Sequence, residues 1–317
     1  MPPCLLINPR SHRASWMGYA RRAARRARAA GVEVQEVVDP ASLRARLDEL
    51  RTRKVEQVWI LSGDGTIAAL AEYFAAGTGD WDPALLLLAG GRANVVPREC
   101  GGYPAMSALR RALAALRAGR PLNEERLMTL RVSQAGMPAR HGFLCAGALV
   151  CEAVRLAAAH RAAGDGWWHR SWFADPYVLL RWALRTLVFR RPLAPDPVGV
   201  AMLAGAGEIQ GGMRLLIVST LQMRNALYNP FAARGAGPVR FTAITSAVPS
   251  LWRALPALLS GHFGSQMDPA HGVLSGRGER AEVHGLASYA LDGEVIAADP
   301  ALPMVFTAGR ALRVLRP

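Results

Sequence analysis

Four short stretches gather the residues able to do chemistry. The sharpest is Ser62-Gly63-Asp64-Gly65-Thr66, a pair of glycines flanking an acid between an apolar run and a helical pattern. Glycines there let the backbone turn tightly and leave amide N–H groups at the start of a helix, where an anion is stabilised by donors and dipole together. Thr66 can cap that helix or bind a phosphate oxygen; taken alone, the run serves equally well as a plain strand-to-helix turn. Gly90-Gly91-Arg92-Ala93-Asn94 is the second stretch, in which Gly91 lets the backbone approach a ligand and Asn94 offers a donor and an acceptor. By itself it reads as a generic turn. The third, Leu291-Asp292-Gly293-Glu294-Val295, sets two carboxylates around a glycine, a pattern that in isolation is most often a hairpin turn. The fourth is Asn8-Pro9-Arg10-Ser11, closing the first apolar run.

These stretches need a scaffold, and the first third of the chain supplies a βα alternation. Strands are expected at Leu5 to Ile7, Val32 to Val38, Val55 to Leu61 and Leu85 to Leu88, with helices near Trp16 to Ala30, Ala41 to Arg51, Ile67 to Phe74 and Met106 to Ala118. Three of the four stretches then fall at strand ends, the place where open α/β sheets bind ligands. Beyond Gly119-Arg120-Pro121 the pattern turns to short strands: Met128 to Val132, Phe143 to Cys145, Val198 to Leu203, Met213 to Leu221, Val239 to Ala243, Ala281 to His284 and Val295 to Ala297. Two helical insertions, Tyr177 to Phe189 and Ser250 to Ser260, interrupt them. The expected fold is therefore α/β followed by a largely antiparallel, β-rich region.

Composition bounds the function. The 317 residues carry 38 Lys plus Arg against 24 Asp plus Glu, a net charge of +14 that favours anionic partners: nucleic acid, nucleotide phosphates or an acidic membrane. Hydrophobic residues at 51% argue against disorder, and no stretch approaches the uninterrupted apolar length of a membrane span. The amino terminus does not read as a secretory signal, and four scattered cysteines suit a reducing cytoplasm better than a disulfide scaffold. Neither a Cys-x-x-Cys pair nor a His-Glu-x-x-His run offers a metal site.

Taken in order, the four stretches resemble the diacylglycerol kinase catalytic domain family, which includes bacterial lipid kinases and the sphingosine and ceramide kinases. Asn8-Pro9-x-Ser11 is similar to the family's Asn-Pro-x-Ser-Gly loop, with His12 for the glycine. Residues 62–66 resemble its Gly-Gly-Asp-Gly-Thr motif in the Ser-Gly-Asp-Gly form of sphingosine kinases, a slight tilt toward a sphingolipid acceptor. Gly91-Arg92-Ala93-Asn94 is similar to Gly-Thr-Gly-Asn without the Thr and second Gly, Phe143 to Val150 to the opening of the second domain, and Asp292-Gly293-Glu294 to the late Asp-Gly-Glu. The resemblance implies an α/β ATP-binding domain over 1–124 and a β-rich, sandwich-like lipid-binding domain over 125–317, whose last strand can pack back on the first.

It further implies ATP against Asn8, Ser11, Ser62, Gly63, Asp64, Gly65, Thr66, Gly91 and Asn94, with Asp292 as the base for a lipid hydroxyl and Asp64 as its rival. Glu294 would help hold Mg²⁺. One departure stands out. Where many relatives carry Asp-Asp-Gly, this chain has Asn229-Pro230-Phe231-Ala232 and then Arg234-Gly235-Ala236-Gly237, which removes the paired acids of a second Mg²⁺ site.

Four of the eight tryptophans, Trp167, Trp168, Trp172 and Trp182, lie close together among arginines. Tryptophan suits the headgroup boundary and arginine reaches anionic phosphates, so this segment is expected to dip into an acidic bilayer; a helix packed on its own domain is the plainer reading. The run Arg21, Arg22, Arg25, Arg26 and Arg28 reads as a solvated helix face. A cytoplasmic enzyme peripheral to the inner membrane face follows, without a nucleic-acid module. The alternatives are a catalytically degenerate lipid-binding protein and, less well supported, an NAD kinase-like enzyme. Asn123-Glu124 echoes the latter, but no dinucleotide-binding loop follows.

Overall fold

A computed structural model describes residues 2–15, 18–77, 79–162, 197–223 and 228–317. The first region is built on unbroken apolar runs: β4 (Ala84–Ala89) is Ala-Leu-Leu-Leu-Leu-Ala and buried at every position, as a parallel strand covered on both faces must be. It lies beside β3 (Gln57–Ser62), then β1 (Cys4–Ile7) and β2 (Glu33–Glu36), all parallel. Helices α1 (Tyr19–Arg28) and α5 (Ala105–Arg117) pack alanines and leucines on one face. On the other lie α2 (Pro40–Thr52) and α3 (Asp64–Ala75), with α4 (Val95–Glu99) nearby. Asp39 starts α2 by accepting the Ser42 N–H at 2.7 Å, a capping box that Pro40 reinforces at the first helical position.

The register matters for the site. Ile7 pairs with Leu61 and Ser62 with Ala89, so β1, β3 and β4 end side by side, and the strand order reverses between β1 and β3. That reversal opens the crevice where such sheets take ligands.

The second region is antiparallel. It comprises β5 (Asn123–Gln134), β6 (Arg140–Gly142), β7 (Leu144–Ala148), β8 (Val198–Leu203), β9 (Gly207–Ser219), β10 (Val239–Thr245), β11 (Val273–Gly278), β12 (Arg280–Val283), β13 (Ser288–Leu291) and β14 (Glu294–Ala297). The long β15 (Met304–Arg316) pairs antiparallel with β5 and β12 and parallel with β4 at Val314↔Leu85, so hydrogen bonding runs without a break from one region into the other. A second core gathers Phe241, Phe306, Tyr289, Leu216 and their neighbours.

The expected strands and helices are found within a few residues; α4, β6, β11 and β13 stand where no element was expected, and three further points differ. Helix α6 (Leu149–Ala162) follows β7 directly, where only a turn was expected. Ala148 makes the corner with φ 52°, a left-handed conformation that nothing in its residue type announces. Strands β5 and β9 run far longer than their apolar centres, because paired backbone carries them past the buried stretch. The first helix begins only at Tyr19, after Gly18 in the left-handed region. Of the two expected insertions, Ser250 to Ser260 is α7 (Leu251–Ser260), whereas Tyr177 to Phe189 lies outside the described residues. Among the described residues, no helix is long and apolar enough to cross a membrane.

Candidate active site

The ends of β1 and β3 are joined by a polar network. Asn8 Nδ2 donates to Thr66 Oγ1 at 3.1 Å, Ser62 Oγ donates to the same oxygen at 2.6 Å, and Ser11 Oγ lies 3.1 Å from Ser62 Oγ while accepting the Gly63 N–H at 3.2 Å. Five of the residues expected at a nucleotide site, Asn8, Ser11, Ser62, Gly63 and Thr66, are thus one cluster. Ser62 is fully buried, with its hydroxyl committed inside this cluster.

A second cluster fixes the β4 loop against α3. Asn94, fully buried with φ 51°, accepts the Gly91 N–H on Oδ1 at 2.7 Å and donates back to the Gly91 carbonyl at 2.8 Å. Asp64 accepts the Asn94 N–H at 2.7 Å. Burial pushes the Asp64 carboxyl above its usual range, while the amides of Asn94, Val95 and Val96 pull it back. Asp64 therefore caps α4 and does not line the cavity described below. Gly91 faces Gly63 so closely that a Cβ on it would stand 2.6 Å from the Gly63 Cα, and a Cβ on Gly90 would stand 2.9 Å from the Ser62 nitrogen. These two glycines let the loops pack on each other.

Gly65 is different. It is exposed, and a Cβ there would meet nothing within 4 Å. Gly63 caps α3 without a side-chain hydrogen bond; the Thr66 N–H of the first turn donates to the Gly63 carbonyl at 3.2 Å, and Gly65 is the exposed residue of that turn. Gly65 lines a cavity of about 640 Å³ between the two regions, walled by α2, α3, β6 and the β13–β14 hairpin.

Asp292 faces the same cavity. With Gly293 it forms the two-residue turn joining β13 to β14, at φ 48° and 91°, so the Asp-Gly pair is a hairpin turn and a site residue at once. Its carboxylate accepts the N–H of Leu144 at 2.9 Å and of Phe143 at 3.0 Å. Gly142 leaves room for it, since a Cβ there would run into Asp292 Oδ2. Burial raises the Asp292 carboxyl to about 7; the two amides oppose that rise, and the charges of Asp64 and Glu72 add to it. Glu72, Arg140 and His141 also line the cavity and belong to none of the sequence motifs.

The Mg²⁺ implied by the motifs can be tested against the donors present. Among the described residues no three His, Cys, Asp or Glu side chains are grouped to hold a metal. Glu294 is exposed on the cavity wall two residues from Asp292. This set suits an ion arriving on a nucleotide, which needs one or two carboxylates besides phosphate oxygens, and does not suit a resident cage. The 229–237 segment holds no carboxylate: the Arg234 carbonyl accepts the Arg277 N–H at 2.8 Å, its guanidinium donates to the Phe263 carbonyl at 3.0 Å, and Gly235 bridges to Arg277. The tryptophans Trp167, Trp168, Trp172 and Trp182 lie outside the described residues.

Residues 2–123, which contain both loop clusters, match the family profile of the diacylglycerol kinase catalytic domain. This region is similar to a diacylglycerol kinase catalytic domain. No curated protein sequence matches the chain. Among solved structures, a diacylglycerol kinase from Bacillus anthracis str. Sterne is similar at 11% identity and TM-score 0.63, covering 99% of this chain and 96% of that one. A structure provisionally assigned to the same kinase class, from the same organism, gives 12% identity and TM-score 0.65 over 99% and 96% of the two chains. Likeness at such identity shows that the two-region fold extends beyond the matched residues to the whole chain, and the family match over 2–123 supports a lipid kinase.

Proposed function

We propose that this chain transfers the γ-phosphate of ATP to a primary hydroxyl of a membrane lipid, in the cavity between its two regions. The observation that carries the reading is that Gly65, on the uncapped first turn of α3, and Asp292 face one cavity. First-turn amides and the helix dipole hold phosphate oxygens, with Asn8, Ser11, Ser62 and Thr66 fixing the loop that presents them. Asp292 takes the proton of the acceptor hydroxyl as its oxygen bonds to the γ-phosphorus; the bond to the bridging oxygen breaks, and ADP leaves. A carboxyl titrating at about 7 is well matched to that task near neutral pH, and the Phe143 and Leu144 amides aim it. Asp292 is favoured over Asp64 because it lines the cavity, which Asp64 does not. When bound, Mg²⁺ supplies positive charge to the phosphates, with Glu294 as its protein ligand.

The acceptor class is a diacylglycerol, a sphingoid base or a ceramide, reached from an acidic bilayer through the segment bearing Trp167, Trp168, Trp172 and Trp182. A labelled-ATP assay across these three lipids tests the reading. One lipid becomes labelled by the wild type and not by Asp292→Asn, which keeps nucleotide binding. Labelling of none by either protein, with liposome binding intact, would instead make the chain a degenerate lipid-binding protein.

A further inference from the structure

Glu72 stands on α3 eight residues after Asp64, about 12 Å along the helix at 1.5 Å per residue. Its Oε1 accepts the His141 N–H at 2.9 Å, with Arg140 Nη1 4.0 Å away. Among the described strands, β6 pairs with β5 alone and so forms an edge. The His141 amide is turned toward Glu72, and without that oxygen a half-buried backbone donor would lose its partner. The residues that follow do the holding at the reacting end: Gly142 admits the Asp292 carboxylate, and Phe143 and Leu144 donate to it. The Glu72 carboxylate, through the His141 N–H and the longer Arg140 contact, therefore ties the phosphate-binding helix to the short segment that aims Asp292.

The helix is well anchored for this purpose. Arg310 of β15 donates to the Phe74 carbonyl at 3.1 Å and lies over the Phe74 ring at 5.6 Å, and Tyr73 donates to Asp48 of α2 at 2.8 Å. On the other side, β15 makes room for the His141 ring at Gly309, where a Cβ would stand 3.2 Å from Nδ1. Both ends of the Glu72 link are thus set in rigid surroundings.

We propose that Glu72 is a positioning residue that fixes the spacing between the first turn of α3 and Asp292 across the cleft. This rests on the kinase reading above. Its role is to accept one backbone hydrogen bond, so the acceptor atom and its reach matter more than the charge. A displacement of about 1 Å between reacting groups costs on the order of 100-fold in rate, which is what loss of the link puts at risk.

The test compares Glu72→Ala, Glu72→Asp and Glu72→Gln by residue-resolved amide hydrogen exchange and by steady-state kinetics with labelled ATP. Glu72→Ala removes the acceptor and Glu72→Asp withdraws it by one methylene; both speed exchange at His141, Phe143 and Leu144 about tenfold or more, whereas Glu72→Gln, which keeps a carbonyl oxygen in place, stays within about threefold of wild type. Kinetically, Glu72→Ala lowers kcat by about 30- to 100-fold with KM for ATP within about twofold, and Glu72→Gln recovers most of that loss. Unchanged exchange at Phe143 and Leu144 in Glu72→Ala overturns the proposal, as does an equal loss in the Ala and Gln variants. If the wild type phosphorylates no lipid, the kinase reading falls, and the exchange rates still decide whether the link exists.

Discussion

Gly65→Ala separates a glycine kept for a ligand from one kept for packing. Gly65 is the second residue of α3, its φ is not positive, and the added methyl meets no protein atom within 4 Å. The folded protein therefore gains stability, by about 0.5 kcal/mol from the unfolded-state entropy that alanine removes. For a chain of this size that raises Tm by about 1 to 2 °C. The same methyl projects into the cavity where a phosphate oxygen meets the first-turn amides. Losing one hydrogen bond to a charged acceptor costs about 1.5 to 3 kcal/mol. That corresponds to a roughly 10- to 150-fold weaker nucleotide affinity. Calorimetric titration with a non-hydrolysable ATP analogue, alongside thermal melting, reads both effects from one preparation. Gly91→Ala is the contrast: its Cβ would stand 2.6 Å from the Gly63 Cα, so melting temperature and affinity fall together. If Gly65→Ala binds nucleotide as wild type does while melting no lower, phosphates do not rest on the first turn of α3 and the site assignment fails.

Asp292 carries a pH signature. Its folded-state value of about 7 lies above the unfolded 3.8, so its contribution to stability is present below about pH 4 and is lost as pH rises toward 7; ionised, it costs up to about 4 kcal/mol. Asp292→Asn should then be more stable than wild type in urea at pH 8 and no more stable at pH 4, while kcat/KM of the wild type falls on the acid side of about 7. Equal stability of the two proteins at both pH values would refute the buried ionisation. Asn94→Ala leaves the buried Gly91 amide and carbonyl unpaired and puts alanine at φ 51°, for a loss of about 3 kcal/mol in urea unfolding; a loss under about 1 kcal/mol would show that the loop stands without it. Glu294→Gln is expected to raise the Mg²⁺ concentration for half-maximal transfer several-fold with Tm unchanged, and an unchanged Mg²⁺ dependence would remove it from the metal's surroundings. Trp168→Ser with Trp172→Ser should reduce sedimentation with anionic liposomes, and unchanged binding by a stable protein would sink the membrane reading.

Much of the site was legible because its parts are local. An all-apolar strand such as Leu85 to Leu88 states that both faces are covered, and a glycine cluster straight after it states where the sheet ends. The ordering of motifs then joined residues from opposite ends of the chain. What stayed hidden depends on contacts with no local trace. Glu72 looks like any helix-surface acid until His141, far along the sequence, presents its amide. Helix α6 has no glycine or proline to separate it from β7, and Ala148 makes the corner against its own preference. Gly91 was expected to approach a nucleotide, yet the backbone it approaches is Gly63, a neighbour that only the parallel register of β3 and β4 brings near.

The placement of β15 bears on how the protein comes to be folded at all. The strand that closes the open edge of β4 is synthesised after every other strand described, so the parallel sheet leaves the ribosome with a fully apolar edge strand waiting for its neighbour. Such an edge is a template for pairing with another chain. Completion of the first region thus waits for β15, and its vulnerability to aggregation lasts from the synthesis of β4 until that strand is made.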